Sequence, residues 1–140
     1  MSDVYLIDKS ALARVARNTA VQEALVALDE RGALATTAVI DLEIGYSARN
    51  LVEFESVAAD RKDLYLELPL TPAAAQRARA VQRELVRQGR HRGLGVSDLL
   101  IAATAELYGA VVVHYDRDFD VIAAVTKQQT EWIVPAGSVS

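Results

Sequence analysis

Cysteine is absent from this chain of 140 residues, so it has no disulfide framework and no thiolate metal site. Histidine occurs only at His91 and His114, too sparsely for a zinc site built on imidazole nitrogen. A metal held by these side chains must be held by oxygen, which favours magnesium or manganese. No apolar run approaches the length of a membrane span. The opening MSDVYLIDKSAL has no basic stretch ahead of a long apolar core, so it is expected to belong to the folded domain and not to a signal peptide. A cytoplasmic location without membrane association is the expectation. No internal repeat, low-complexity segment or dividing linker is visible.

What is present is apolar: 51% of the residues are hydrophobic, enough for one compact domain with its own core. Val4 to Ile7 is a short β-branched run ending at Asp8, read as a buried strand. Ser10 can cap a helix through Arg17 and Thr19 a second one that Gly32 ends. Ala33 to Thr37 reads as a strand, and residues 39–49 and 51–63 as helices. A strand from Tyr65 to Leu68 precedes Pro72, which fits the first turn of an alanine-rich helix lasting to about residue 88. After the loop GRHRGLG, a helix opens at Ser97 and closes at Gly109. A strand from Val111 to Tyr115, a short helix from Phe119 and a strand from Glu131 to Val134 follow. Strands alternating with helices predict an α/β fold with a mostly parallel sheet covered on both faces. The domain is expected to span 1–134, with residues 135–140 a loose tail.

The segment VVVHYDRDFD raises the chemical question, because Asp116, Asp118 and Asp120 follow a buried strand within five residues. Functional crevices of parallel sheets lie beyond the carboxyl ends of the strands. If the first and fourth strands are neighbours, Asp8 and the late aspartates face one crevice. Each acid has an ordinary explanation. Asp8 suits a strand-to-helix cap, Asp98 suits the positive end of a helix dipole, Glu43 sits on a helix face with Val39 and Tyr46, and Arg117 could neutralise Asp116 and Asp118. Asp120 is assigned the plain surface role, and Phe119 is expected to anchor the loop in the core. Together, however, a strand-terminal Asp, a helical Glu, a helix-start Asp and a late D-x-D make an oxygen ligand set for a hard divalent cation. Such a cation would relieve the mutual repulsion of the carboxylates and activate water against a phosphodiester, with one acid free to take a proton.

The stretches VYLIDKSAL, AVIDLEIGYSA and GVSDLLIAATAELYGAVVVHYDRDFDVIA, with the closing strand, resemble the PIN domain, in particular the VapC-type ribonuclease toxins of bacterial toxin–antitoxin pairs. The likeness extends to about residue 134. It implies a three-layer α/β/α sandwich with a central sheet of four to five strands, and an endoribonuclease that uses Mg2+ or Mn2+. It also implies Asp8, Glu43, Asp98 and Asp116 as catalytic acids, with Asp8, Asp98 and Asp116 on the metal. Asp118 would be an accessory ligand, and Ser10 a hydroxyl that orients Asp8 or a water beside the metal. Lys9 and His114 depart from the family pattern, which often has Thr or Ser after its first Asp and Thr two residues before the D-x-D. The implied partners are RNA (tRNA, rRNA or mRNA), a VapB-type antitoxin and a second copy of the chain. Ile40, Leu51, Phe54 and Val57 are the apolar surface expected to serve a homodimer.

Net charge rises from −4 to a residual +1 once the five acidic candidates are set aside, so the remainder of the molecule is not acidic. Arg79, Arg83, Arg87 and Arg90 repeat along one face of the alanine-rich helix, opposite Val81 and Leu85. With Arg92 and Arg14 they form either a solvated face or a phosphate-tracking stripe that leads to the acidic pocket. Other magnesium-dependent phosphotransfer folds fit less well. A haloacid-type phosphatase needs an Asp where Ser10 stands, a receiver needs an acceptor Asp near Leu68, and a Toprim-like nuclease ends its first strand in Glu. A degenerate, non-catalytic PIN module that binds RNA or protein is the alternative of a different class.

Overall fold

The computed structural model describes residues 3–140. Its elements are β1 (Asp3–Ile7), α1 (Lys9–Leu12), α2 (Thr19–Arg31), β2 (Gly32–Thr36), α3 (Ala38–Tyr46) and α4 (Leu51–Leu64), followed by β3 (Leu66–Glu67), α5 (Pro72–Arg87), α6 (Val96–Tyr108), β4 (Val111–His114), α7 (Asp118–Thr126) and β5 (Thr130–Trp132). The sheet has five strands in the order β3-β2-β1-β4-β5, and every pairing is parallel.

The period-2 alternation of strands divides the core into two layers. Leu6, Ala35 and Val112 point to one face, under Ile40 of α3, Leu85 of α5, Ile101 of α6 and Phe119 of α7. Tyr5, Ile7, Leu34, Val111 and Val113 point to the other, under Ala11 and the α2 residues Val21 and Leu28. Helix α5 shows the matching helical rule, burying Ala74, Ala78, Val81 and Leu85. Its first turn is held by Thr71, whose hydroxyl accepts a bond from the Ala74 amide at 3.2 Å. Alanines 102, 103 and 105 of α6 are buried, and their small side chains let this central helix approach its neighbours closely. Gly109 then stops α6 in the left-handed region, at φ 65°. A Cβ at Gly32 would lie 2.1 Å from the Asp3 carbonyl oxygen, so only glycine fits where β1 and β2 begin side by side.

Several local expectations change. The helix after β1 is a single turn capped by Asp8, whose carboxylate accepts from the Ser10 amide. Ser10 therefore lies inside the turn, and hydrogen-bonded turns carry the chain on to Arg17. Asn18 precedes α2, and Thr19 is its first residue. Helix α5 ends at Arg87, and the backbone turns at Gly89 with φ 69°, so Arg90 is not on the helical face assigned to it. Strand β5 starts one residue earlier than expected and ends at Trp132. The closing residues, expected to be loose, fold back on the domain. The Tyr115 hydroxyl donates to the Val139 carbonyl at 2.9 Å and accepts from its amide at 3.2 Å.

Candidate active site

Strands β1 and β4 are adjacent and parallel, with Ile7 beside Val113, so both deliver their next residues to one edge of the sheet. The Asp8 amide continues the pairing by donating to the Val113 carbonyl at 2.9 Å. The Asp8 side chain is buried. One of its oxygens, Oδ2, accepts from the Ser10 amide at 2.9 Å, while Oδ1 is buried without a hydrogen-bond partner. The Ser10 hydroxyl reaches across to β4 and accepts from the Tyr115 amide at 2.9 Å. Ser10 thus ties the two strand ends together, holding Asp8 through its backbone and the opposite loop through its side chain.

The loop after β4 is pinned from below. Phe119 and His114 are both fully buried, and the His114 ring stacks at 5.0 Å against Phe119 and at 5.0 Å against Trp132. Burial lowers the His114 pKa, which keeps the ring neutral. Its Nδ1 accepts from the Asp116 amide at 3.1 Å, and Oδ1 of Asp116 accepts from the Asp118 amide at 2.9 Å. Asp120 faces outward and accepts from the Trp132 indole at 3.2 Å, the plain role expected of it.

Helix α6 supplies Asp98, which is buried, from its first turn. Oxygens of Asp98, Asp116 and Asp118 all lie within 4.8 Å of one another. Asp118, expected to be accessory, therefore belongs to the tightest group. Its Oδ2 also accepts from the Gly95 amide at 3.3 Å. Asp8 lies outside this trio but within its electrostatic reach. From α3, Glu43 shares a cavity of about 550 Å³ with Val39 and Tyr46, while Asp41 points away and pairs with Arg61 at 2.9 Å. Oε2 of Glu43 accepts from the Ser97 hydroxyl at 3.1 Å, and Oε1 is buried without a partner. The Gly95 amide and Ser97 are supports that sequence reasoning missed, and His114, read there as a departure from the family pattern, supports the Asp116 backbone. For Ser97 the signal was visible, since a hydroxyl beside a helix-start Asp was read only as the helix boundary.

These carboxylates share one electrostatic problem. Burial, and then the charges of Asp8 and Asp116, push Asp98 up to about 8. Burial also raises Asp8, against the opposing bonds from Ser10, with the Asp116 charge adding to the rise. Glu43 is raised by burial and by Asp8, while the Ser97 bond and the Lys9 charge oppose. An all-oxygen donor set, orphaned oxygens on Asp8 and Glu43 and repelling acids are the features that a hard divalent cation satisfies.

The arginines are placed less uniformly. Arg79 and Arg83 stand exposed on α5, and Arg90 and Arg92 in the following loop. Arg79 contacts Gln76 at 3.2 Å, and Arg87 is paired with Glu84. Arg14 is half-buried: its guanidinium donates to the Ser10 carbonyl at 2.6 Å and covers the Tyr115 ring at 4.3 Å. It braces the site wall.

The PIN domain family model matches residues 5–125. Ribonuclease VapC51 of Mycobacterium tuberculosis is 47% identical over 137 residues, covering 96% of each chain. Ribonuclease VapC21 of the same organism is 44% identical over 139 residues, covering 99% of each. Among solved structures, VapBC2 from Rickettsia felis, bound to a DNA fragment from its promoter, superposes with a TM-score of 0.76 at 16% identity. That match covers 92% of this chain and 98% of the other. A VapBC complex from Salmonella typhimurium bound to DNA gives 0.72 at 21% identity, over 96% and 100%. These two share the fold of this chain. With the family match covering most of its length and relatives at this identity, the chain belongs to the PIN-domain family, on its VapC branch.

Proposed function

We propose that this chain is a metal-dependent endoribonuclease, the toxin of a toxin–antitoxin pair, which hydrolyses RNA phosphodiester bonds in the acidic pocket. The observation that carries this reading is the convergence of Asp98, Asp116 and Asp118 within 4.8 Å, in a chain 47% identical to a named ribonuclease. Asp8, Asp98 and Asp116 would hold Mg2+ or Mn2+, with Asp118 as a further ligand and Glu43 direct or through water. When bound, the cation supplies Lewis acidity toward water and phosphodiester and offsets their negative charge.

The chain's own residues do the positioning. Ser10 and the Gly95 amide hold Asp8 and Asp118 in place, and the neutral His114 fixes the backbone under Asp116. Glu43 has one oxygen held by Ser97 and one unbonded, and its pKa is raised. That combination suits it to receive the proton of the attacking water at Oε1. Arg79 and Arg83 would track the RNA backbone toward the pocket, supplying affinity and not chemistry.

A VapB-type antitoxin is the fitting partner, since solved neighbours are VapBC complexes. A groove of about 570 Å³ between α1, α2 and α4, walled by Leu12, Val15, Leu25, Val57 and Leu64, suits an apolar helix. The homodimer is carried by Leu51, Val52 and Phe54, which are exposed. Ile40, expected to share that role, is fully buried in the core, and Val57 lines the groove. No helix among the described residues is long and apolar enough to cross a membrane.

The test is RNA cleavage by purified protein with magnesium, with manganese and with chelator, against the Asp116→Asn variant. Cleavage that survives chelation or the substitution would overturn the assignment.

A further inference from the structure

Lys9 stands next to Asp8 at the start of α1, on the wall of the cavity that contains Glu43. Its ammonium donates to the Ser47 hydroxyl at 2.5 Å. Ser47 lies one turn beyond Glu43 and bonds back to the Glu43 carbonyl at 3.4 Å. Among the described residues, no ion pair includes Lys9, although its charge is felt by Glu43. An ammonium has three donors, and the contact with Ser47 uses one. A cation left on a neutral hydroxyl beside a group of carboxylates has its charge still available to an incoming anion.

The charge balance of the pocket says why that matters. Asp8, Glu43, Asp98, Asp116 and Asp118 carry five negative charges when ionised, and one divalent cation leaves an excess. A phosphodiester entering there meets repulsion at the lip unless a positive group faces it. On the α3 side of the pocket, Lys9 is placed to be that group. The remaining lining near it is apolar, with Val39, Leu42, Leu70 and Leu100, and low-dielectric walls strengthen the attraction of an ammonium for phosphate.

We infer that Lys9 is a substrate-contacting residue: it leaves Ser47 to hold the RNA phosphate flanking the one that is cleaved, on the Glu43 side of the pocket. This rests on the ribonuclease reading. It assigns Lys9 to binding and register, and the proton transfer stays with Glu43.

The experiment compares wild type with Lys9→Met, Lys9→Arg and Ser47→Ala, using single-stranded RNA. Single-turnover cleavage is followed across RNA concentration with magnesium, and binding is followed against salt. For Lys9→Met the half-saturating RNA concentration should rise about tenfold, as expected for a lost charge-assisted contact. The saturating rate should stay within about twofold, and the log–log salt slope should fall by roughly 0.7. Lys9→Arg should keep most of the affinity, and Ser47→Ala should bind RNA at least as well as wild type. A Lys9→Met protein with unchanged affinity and slope would overturn the inference. So would a Ser47→Ala protein as impaired as Lys9→Met, because the pair would then act as a structural tether. Wild type that cuts RNA while Lys9→Met is unaffected removes only this inference. Wild type that neither binds nor cuts RNA removes the ribonuclease reading and this one with it.

Discussion

The Ser10 hydroxyl accepts a hydrogen bond from the Tyr115 amide at 2.9 Å, across a sequence separation of 105 residues. It is the clasp between the two strand ends that carry Asp8 and Asp116. Ser10→Ala leaves that amide without its partner and should cost about 1–3 kcal/mol of stability. Ser10→Thr keeps the acceptor and should lose less. Chemical denaturation of the three proteins checks this, and equal stability of Ala and Ser forms would mean that the clasp is energetically idle.

Asp98 gives a pH dependence with a definite sign. Burial and neighbouring charges raise its folded pKa to about 8 from the ordinary 3.8. Between those values the folded state binds more protons than the unfolded state, so metal-free stability should fall as pH rises from about 4 to about 8. Asp98→Asn has no proton to lose and should flatten that slope, with a higher melting temperature than wild type in chelator at pH 8. Melting curves in chelator at pH 5 and pH 8 decide it. A wild type that gains stability across this window would contradict the electrostatic account.

Metal should reverse the trend. Magnesium or manganese binds the ionised carboxylates, so it should raise the melting temperature in proportion to the logarithm of its concentration once above its dissociation constant. The effect should be strongest at high pH, where no proton must be displaced. Asp98→Asn and Asp116→Asn should each lose most of it. The same metal-dependent increment in both variants would place the cation elsewhere.

Glu43→Gln and the arginine variants should separate chemistry from binding. Removing the proton acceptor should lower the single-turnover rate by about 10²–10⁴-fold and leave RNA affinity nearly unchanged. Arg83→Ala should weaken affinity and reduce the salt slope by roughly 0.7, at an unaltered saturating rate. Arg87 is engaged by Glu84, which that pairing holds at about 2, so Arg87→Ala should do less than Arg83→Ala. Equal effects of the two would argue against a stripe read by individual phosphates.

Light scattering at micromolar concentration should give the mass of a dimer, and Leu51→Glu with Val52→Glu should give a monomer that stays folded. A wild-type monomer would leave the exposed apolar start of α4 without this explanation.

Much of this was legible in sequence for a simple reason. Short β-branched runs ending in Asp mark buried parallel strands, and a strand's next residue must emerge at the sheet edge. That reasoning brought Asp8 and Asp116 to one crevice. Side-chain direction was not legible. Asp118 was ranked below Asp8, yet its oxygens join Asp98 and Asp116 in the closest group, because the turn into α7 aims it inward. Arg90 was placed on a helical face because periodicity does not register the left-handed turn at Gly89. Ser10 was read as a cap and as a hydroxyl orienting Asp8 or a water, but Asp8 fills the cap position and the Ser10 hydroxyl accepts from the Tyr115 amide. The Ser97 hydroxyl beside the helix-start Asp was in view, but its bond to Glu43 depends on how α3 packs against α6.

The order of strands in the sheet has a consequence for how a cell could make such a protein safely. Asp8 leaves the ribosome early, and β2 soon after, but the strand on the other side of β1, which pairs with Ile7 and accepts from the Asp8 amide, is β4, near the end of translation. Until Val113 is out to pair with Ile7 and Tyr115 is out to meet Ser10, the nascent chain has acids but no pocket. A fragment released by a premature stop between residues 98 and 111 carries Asp8, Glu43 and Asp98 and still lacks the strand that brings Asp116 beside them. The acidic pocket therefore forms only once β4 has been made and has paired with β1.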